Sequence, residues 1–386
     1  MDFKQVYDFT NEAVKEVLGK TAVVNEDLSN IVDIGTQIFN ANALDKYVNA
    51  LVDRIGKVVF VDRVYRSKAP SILVDGWTYG QVLQKIDAGL PEAVENPTWN
   101  LQDGQSYDPN VFRKPSVTAK FFGKRTTFEV DISVPTIQAQ GAFTSPAAMG
   151  RFISMIFTKT DNAVTLRLDK LIQSTIASMM AETYNADISA TEASTKSGIK
   201  AVNLLKLYND FSGEALTADK ALKNLSFLKF ATEKILAYSD YMEYYSKLYN
   251  VGGADRFTEK QDQKIVLLSD FQRSADVYLQ SGTYHNEMTK LPEAQKVAYW
   301  QGTGEDLSFD SLSKIDVKIP SSPATEVKID HAIGAIFDKD ALGVCCIDRR
   351  FTTYYNAKAE FTNYFYKFDA GYWNDLNENC VMFFIA

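Results

Sequence analysis

Two histidines are the first candidates for chemistry, because imidazole exchanges protons near neutral pH more readily than any other side chain. His331 stands beside an apolar stretch, which is more typical of a structural histidine than of a catalyst. His285 falls in the polar sequence Gly-Thr-Tyr-His-Asn and is predicted to be a solvated loop residue. No nucleophile-elbow pattern supports a serine or cysteine nucleophile working with either of them.

Carboxylates near the C-terminus are the second candidates. Asp338 and Asp340 flank a lysine, and Asp375 and Glu378 follow some 35 residues later. Acid pairs at this spacing are usually solvated turns, and a metal ion would need a third convergent ligand. The sequence therefore favours surface turns over a metal site.

The cysteines and the one glycine-rich turn offer little more. Cys345 and Cys346 are adjacent, which is a poor zinc spacing, and with Cys380 they predict small buried hydrophobic side chains. Gly302-Thr303-Gly304 lacks the third glycine and the strand-to-helix setting of a dinucleotide site. We therefore expect no catalytic, cofactor-binding or metal-binding residues, and a protein that is not an enzyme.

Length and charge restrict the classes of protein further. A chain of 386 residues is longer than a single hydrophobic core usually serves, so two lobes or a lobe with extensions are expected. The formal net charge of −8 argues against a protein that grips DNA phosphates over its surface. The first residues lack the layout of an export signal, and no apolar run reaches the roughly 20 residues of a membrane span. We expect a soluble protein made in a cytoplasm.

A long irregular excursion is the least usual feature of the first third. The residues from Lys57 to Tyr65 predict one strand, and alternation from Val117 to Ile132 predicts a return in extended form. Glycines and prolines crowd the stretch between Pro70 and Pro115. Together they predict a projecting hairpin, whose tip of about 45 residues is more typical of an interaction element or a lid.

Helical and β segments then follow in turn. After Pro146 one apolar stripe continues for more than 30 residues, which predicts a helix about 50 Å long. A second helical tract is predicted from Thr217 to Tyr249, and a buried strand over Ile265–Leu268. β patterns fill the chain after Val327, including an aromatic cluster rich in tyrosine. The fold class is therefore α+β, with aromatic residues that suit protein–protein contact.

The order of these elements resembles that of tailed-bacteriophage major capsid proteins, which share the Hong Kong 97-type capsid fold. Short stretches of sequence agree: Leu51–Val59 is similar to the entry into the projecting loop of small short-tailed phages. Arg256-Phe257-Thr258 resembles part of the apical domain of phage capsid proteins. His331–Ala341 resembles their late strand, and Tyr355-Asn356 continues the likeness toward the C-terminus.

The resemblance implies a division of the chain that residue patterns alone do not give. It comprises an N-terminal arm (1–40), a short helix (41–56), an extended β-hairpin loop (57–132), a peripheral domain with a spine helix (133–199), an apical domain (200–324) and the closing peripheral-domain strands (325–386). The expected assembly interface consists of basic and large aromatic residues of the loop region: Arg63, Arg66, Lys68, Trp77, Tyr79, Trp99, Tyr107 and Arg113.

The function that the resemblance implies is self-assembly. Hexamers and pentamers would form an icosahedral head shell in the host cytoplasm and become the capsid of the virion. Scaffolding and portal proteins are the expected partners, with the DNA enclosed without sequence-specific binding and no membrane involved. Three alternatives stay open: an encapsulin-type compartment holding protein cargo, a cytoplasmic enzyme with scattered acids, and a tail or connector protein.

Overall fold

The chain forms two compact units. The computed structural model describes residues 3–19, 34, 37, 46, 63–74, 82–135, 146–188, 192, 194–281, 294–300, 308–322 and 325–386. One unit comprises Met1–Tyr65, Val130–Val164 and Phe351–Tyr366, and the other comprises Arg66–Glu129, Thr165–Arg350 and Lys367–Ala386.

Seven α-helices lie in the described part of the chain. They are α1 (Phe3–Leu18), α2 (Pro146–Asp187), α3 (Leu204–Ser212), α4 (Ala218–Ala221), α5 (Leu225–Tyr241), α6 (Ser269–Ser281) and α7 (Phe309–Leu312). At 1.5 Å per residue, the 42 residues of α2 span about 63 Å. The predicted long helix is therefore confirmed, and it is about 13 Å longer than the pattern indicated.

Twelve strands complete the described elements. They are β1 (Leu83–Ala88), β2 (Val117–Phe122), β3 (Arg125–Pro135), β4 (Ala201–Asn203), β5 (Gln263–Leu268), β6 (Gln295–Val297), β7 (Ile315–Lys318), β8 (Glu326–Ile329), β9 (Ala332–Asp338), β10 (Leu342–Asn356), β11 (Phe361–Asn374) and β12 (Cys380–Phe384). Two sheets are pairs, β1-β2 and β7-β8. The larger sheets have the orders β10-β11-β3 and β4-β12-β9-β5-β6.

The five-stranded sheet is buried on both faces. Every residue of β9 and of β12 is buried, as expected for strands covered by helices on each side. Because side chains alternate along a strand, Met382 packs with Ile176 of α2 while Phe383 packs with Leu228 of α5 and Phe271 of α6. The main core of the larger unit is therefore three layers deep.

A close backbone approach fixes one position in this sheet. Gly334 of β9 pairs with Leu267 of β5. A Cβ at residue 334 would lie 2.2 Å from the carbonyl oxygen of Val266, which only a shift of the backbone could relieve.

The two helices α3 and α5 beside the sheet begin at asparagine caps. The side chains of Asn203 and Asn224 accept hydrogen bonds from backbone N–H groups of the first turn.

The predicted secondary-structure elements agree with the structure in part. The strands over Ile265–Leu268, after Val327 and at the C-terminus are confirmed. The helical tract Thr217–Tyr249 is shorter, since α5 ends at Tyr241. Helices α3 and α6 were not predicted. The short helix 41–56 lies almost entirely outside the described residues, as do His285 and Gly302–Gly304.

Candidate assembly surface

A two-stranded hairpin, β1 with β2, carries the long excursion. The strands are antiparallel, with Leu83 opposite Phe122 and Ala88 opposite Val117. The tip, residues 89–116, is closed by a hydrogen bond of 2.8 Å from the Gly89 N–H to the Ser116 carbonyl oxygen. The tip has no described strand and only one short 3-10 turn.

The predicted hairpin strands were therefore partly wrong. Residues 63–65, the described end of the strand expected over 57–65, lie outside any strand. The first hairpin strand is Leu83–Ala88, hidden among breakers in the sequence. The two alternating runs on either side of Gly123 are confirmed as strands: β2, which pairs with β1, and β3, which joins the sheet of β10 and β11.

The inward face of the hairpin is charged. Lys85 of β1 lies 3.0 Å from Asp375 and 2.5 Å from Glu378, and Lys120 of β2 lies 2.8 Å from Asp375. The Asp375 side chain is 2% exposed. Two lysines from the hairpin thus neutralise a carboxylate that is otherwise expensive to bury.

A third cation comes from outside the hairpin and pairs with a carboxylate on it. Arg256, in the loop after α5, lies 2.7 Å from Asp87 of β1 and 3.2 Å from Glu378. The hairpin contributes Lys85, Asp87 and Lys120, and the rest of the unit contributes Arg256, Asp375 and Glu378. We call these six residues the anchor; their formal charges cancel.

The pKa values in the anchor follow from this pairing. Burial alone raises the pKa of the Asp375 carboxyl, but hydrogen bonds from Lys120, the Asn377 N–H and Lys85 outweigh it and hold the pKa below 3.8. Burial lowers the pKa of Lys85, and Glu378 and Asp375 outweigh that effect, so its pKa lies above 10.5. Asp375 and Lys85 are therefore both ionised throughout the neutral range.

The outward face of the same two strands is apolar. Ile86 is 64% exposed and Phe121 is 65% exposed, with Val117 also exposed beside them. In the register, Ile86 lies opposite Ala119 and Phe121 lies opposite Gln84. Apart from the inward Leu83–Phe122 pair at its base, the usual arrangement of apolar side chains in and charges out is reversed in this hairpin.

The tip continues the apolar exposure. Trp99 is 96% exposed and Phe112 is 85% exposed. Trp99 ends the short 3-10 turn, whose start is capped by the Asn96 side chain accepting from the Thr98 N–H at 3.0 Å. The exposed apolar residues of the tip and outward face, named here the hairpin surface, are Ile86, Leu90, Val94, Trp99, Leu101, Tyr107, Val111, Phe112, Val117 and Phe121. Exposed apolar side chains concentrated on one element in this way favour an interaction site.

The predicted interface residues fall into two groups. Trp99, Tyr107 and Arg113 lie exposed on the tip, and the Tyr107 hydroxyl accepts from the Gln102 N–H at 3.2 Å. Trp77 and Tyr79 lie outside the described residues. The other apolar members of the hairpin surface were not among the predicted interface residues, because alternation along β2 predicts a strand without showing which of its faces is buried.

The three basic residues before the hairpin lie elsewhere. Arg63, Arg66 and Lys68 are exposed on a strandless segment whose backbone is held by α2. In the smaller unit, Asn162 donates to the Arg63 carbonyl oxygen at 2.8 Å. In the larger unit, Asp169 accepts from the Lys68 N–H at 3.3 Å. These three are not part of the hairpin surface.

The carboxylates predicted as solvated turns are mostly buried. Asp375 and Glu378 belong to the anchor, and Asp338 accepts from the Thr258 hydroxyl at 2.8 Å, with burial raising its pKa. Only Asp340 is exposed. That prediction was wrong for three of the four, because cations and hydroxyls distant in the sequence converge on them.

His331 has the structural role that its sequence setting indicated. Its ring stacks on Phe309 at a centroid distance of 5.4 Å, and its Nε2 lies 2.7 Å from Asp310 Oδ1. Cys345 and Cys380 are buried free thiols, as predicted, whereas Cys346 is half-buried. In the described part of the chain no group of three or more His, Cys, Asp or Glu side chains could hold a metal ion. None of the described helices is long and apolar enough to cross a membrane.

Comparison with protein families gives a match over nearly the whole chain. Residues 10–384 match the family described as Phi29-like phage major capsid protein. No curated protein sequence is significantly similar to the chain.

Two solved structures share the fold at low sequence identity. A chain in the capsid structure of Staphylococcus phage Andhra has a TM-score of 0.53 and 9% identity, covering 86% of this chain and 87% of that one. A chain in the structure of head fiber and inner core protein gp22 of native bacteriophage P68 has a TM-score of 0.55 and 9% identity, covering 86% and 88%. At this identity the likeness concerns the fold alone.

Proposed function

Since this chain belongs to the Phi29-like phage major capsid protein family, we propose that its hairpin surface is the element that joins neighbouring subunits of the capsid. Family membership makes the chain a shell-forming structural protein of the virion rather than an enzyme, as the resemblance in the sequence indicated. The mixed helix-and-strand fold of phage capsid structures is likewise confirmed. What family membership does not specify is which residues make the contacts.

The observation that carries the proposal is the reversed polarity of the hairpin. The anchor fixes the inward face to its own subunit through ion pairs. The outward face and tip then present apolar side chains that nothing in the described part of the same chain covers. Burying each large apolar side chain at a contact contributes about 1.5–3 kcal/mol, so several together stabilise a subunit contact.

Repetition turns such a contact into a closed shell. Each subunit would place its hairpin surface on a neighbour and receive another neighbour's hairpin, which is a head-to-tail contact that closes into rings. Hexamers and pentamers are the proposed rings. A contact of modest strength then suffices, because each further ring contact forms within an already connected assembly.

The domain division is proposed on the same basis. Residues 1–40 would be an arm, 57–132 the extended loop, 133–199 and 325–386 the peripheral domain, and 200–324 the apical domain. Arg63, Arg66 and Lys68 would contact a neighbour beside α2. Scaffolding and portal proteins are the proposed partners during assembly in the host cytoplasm, and the DNA would be enclosed without sequence-specific contact.

A tip deletion tests the proposal. Replacing residues 90–115 by Asn-Gly keeps β1, β2 and the whole anchor, and joins the strands through a favoured two-residue turn. We expect a folded protein that forms no shells by negative-stain electron microscopy, beside wild-type protein that does. Normal shells from the deletion variant would overturn the proposal, and a matched variant with Lys114→Met in the intact tip should assemble normally.

A further inference from the structure

A surface cavity lies at the base of the hairpin, within the larger unit. Its volume is about 450 Å³, inside the range of roughly 300–1,000 Å³ that ligand pockets have. The walls come from α2 and from the ends of β2, β7 and β11, and they include the apolar side chains of Leu171, Ile319 and Trp373. A cavity of this size and lining can accept an aromatic ring.

One buried acceptor in the cavity has no donor. The Asn374 Nδ2 donates to the Thr175 carbonyl oxygen at 3.3 Å, which fixes the orientation of the amide. The Asn374 Oδ1 is buried and accepts no hydrogen bond from the described part of the chain. A buried acceptor without a donor is unfavourable, so the cavity favours a ligand that carries an N–H or O–H group.

The cavity is also cationic. Lys124 and Lys318 line it, and both side chains are exposed. No acid is among the described residues that line the cavity with them. Since complementary charges favour association, the matching ligand has carboxylates beside an aromatic group that donates a hydrogen bond.

Trp99 at the tip of the hairpin has these properties. Its side chain is 96% exposed, and the indole N–H is a donor only. The stretch from Pro91 to Pro109 around it contains no basic residue and four acids, which are Glu92, Glu95, Asp103 and Asp108. The other tryptophans of the described chain, Trp300 and Trp373, are buried.

The tip does not occupy the cavity of its own subunit. Strand β2 runs from the tip at Val117 to the cavity at Phe122, which separates the two by about 17 Å. Phe121 of the hairpin surface lines the same cavity. A tip that arrives from a second copy would therefore fill the cavity and cover part of the hairpin surface at once.

We propose that Trp99 of one subunit enters this cavity on a neighbouring copy of the chain. Its indole N–H donates to the Asn374 Oδ1, and the acids beside it pair with Lys124 and Lys318. The inference rests on the proposed function, because the shell brings the tip to a neighbour. Two different surfaces meet, as a head-to-tail contact requires, and an aromatic anchor in a pocket is typical of a strong interface.

Photo-cross-linking tests where the tip docks. The photoreactive amino acid p-benzoylphenylalanine replaces Trp99, and purified shells are irradiated. We expect covalent dimers on a denaturing gel, with mass spectrometry locating the cross-link in residues 171–178, 318–320 or 372–374 of the other subunit. The matched control places the same amino acid at Phe211, an exposed aromatic position on α3, and should give no cross-link to these residues.

Charge reversal tests the same contact without the photoreactive group. Glu95→Lys with Asp103→Lys, and separately Lys124→Glu with Lys318→Glu, should each lower the yield of sedimenting shells at least about tenfold, and the four changes together should restore it to within about threefold of wild type.

Three results would overturn the docking and leave the proposed function standing. They are a combined variant that does not recover, a cross-link to capsid residues outside the cavity, and a cross-link to a different protein. Normal shells from the tip-deletion variant would overturn the docking and the proposed function together.

Discussion

The central sheet and the hairpin use the same two-residue period in opposite ways. In β12, Val381 and Phe383 face one apolar layer while Met382 and Phe384 face another, so the strand needs no partner beyond its own chain. In the β1–β2 hairpin, charges face inward and apolar side chains face solvent. A strand of the first kind contributes to folding, and a strand of the second kind is completed only by another surface.

The difference also separates two kinds of stability. Loss of a side chain from the central sheet leaves a cavity in close-packed surroundings and affects the whole unit. Loss of a side chain from the hairpin surface changes little within the subunit, since that side chain already contacts water. The predictions that follow test this separation, starting with the largest effect.

Phe383→Ala should destabilise the fold most. Phe383 is fully buried between the sheet and its helices, and truncation of a buried phenylalanine costs about 3–5 kcal/mol. The free energy of unfolding, measured by denaturant titration of unassembled protein, should fall by that amount. Phe121→Ala, on the hairpin surface, should change it by less than about 0.5 kcal/mol. Equal losses in the two variants would remove the distinction between the regions.

Ile86→Ser with Phe121→Ser should abolish assembly without unfolding the subunit. Two apolar contacts of about 1.5–3 kcal/mol each are lost at every interface, so the yield of sedimenting shells should drop at least about tenfold. Val277→Ser, an equally exposed apolar position on α6, is the control. A normal yield from the hairpin variant contradicts the assignment of this surface.

Lys120→Met should loosen the hairpin alone. It removes one of the two lysines on buried Asp375, a loss of about 1 kcal/mol because the lysine side chain is itself over one-third exposed. An isolated two-stranded hairpin is marginally stable, so weaker anchoring should raise its opening. Amide hydrogen exchange in β1 and β2 should accelerate about fivefold while β9 and β12 stay unchanged. Lys114→Met, in the exposed tip, should accelerate neither.

The pH dependence of the anchor is the smallest effect. The folded pKa of Asp375 is lowered, so its contribution is present above the unfolded value of 3.8 and is lost as the pH falls through the folded value. Lys85 has a raised pKa and contributes until the pH rises above 10.5. The difference in unfolding free energy between wild type and Asp375→Asn should be constant from about pH 5 to 8 and shrink below 3.8. If the difference already shrinks at pH 6, the pH dependence belongs to a group other than Asp375.

The sequence predicts the regular parts of the fold well. The apolar stripe of α2 and the continuous apolar runs of β5, β9 and β12 are readable in the sequence, because these elements bury their side chains within their own chain. Strand β1 was not predicted from the sequence. Its inward residues are Leu83, Lys85 and Asp87, and this pattern contradicts the rule that the inward face of a strand is apolar. Asp375 lies almost 300 residues after β1 in the sequence, and only the folded chain brings it to Lys85 and Lys120.

The exposed tip was predicted from the sequence, and its role as an interface stays a prediction. Trp99 and Tyr107 were correctly placed on a projecting tip, since breakers and aromatic residues mark such a tip locally. Phe121 was placed on a predicted strand but not among the interface residues, because alternation shows which residues share a face and not which face is buried. The sequence did contain one signal, since the charged Lys120 lies between the apolar residues Ala119 and Phe121. This signal can be interpreted only when the position of its partner carboxylate, Asp375, is known.

The most direct test of the account compares side-chain protection in free subunits and in shells. Hydroxyl-radical footprinting measures the solvent exposure of Trp99, Phe112 and Phe121 residue by residue. We expect all three to react readily in unassembled protein and to become protected in shells, while exposed Phe211 on α3 serves as a reference within the same sample. Reactivity of Trp99 and Phe121 that is the same in both states would contradict the central claim that the hairpin surface joins neighbouring subunits.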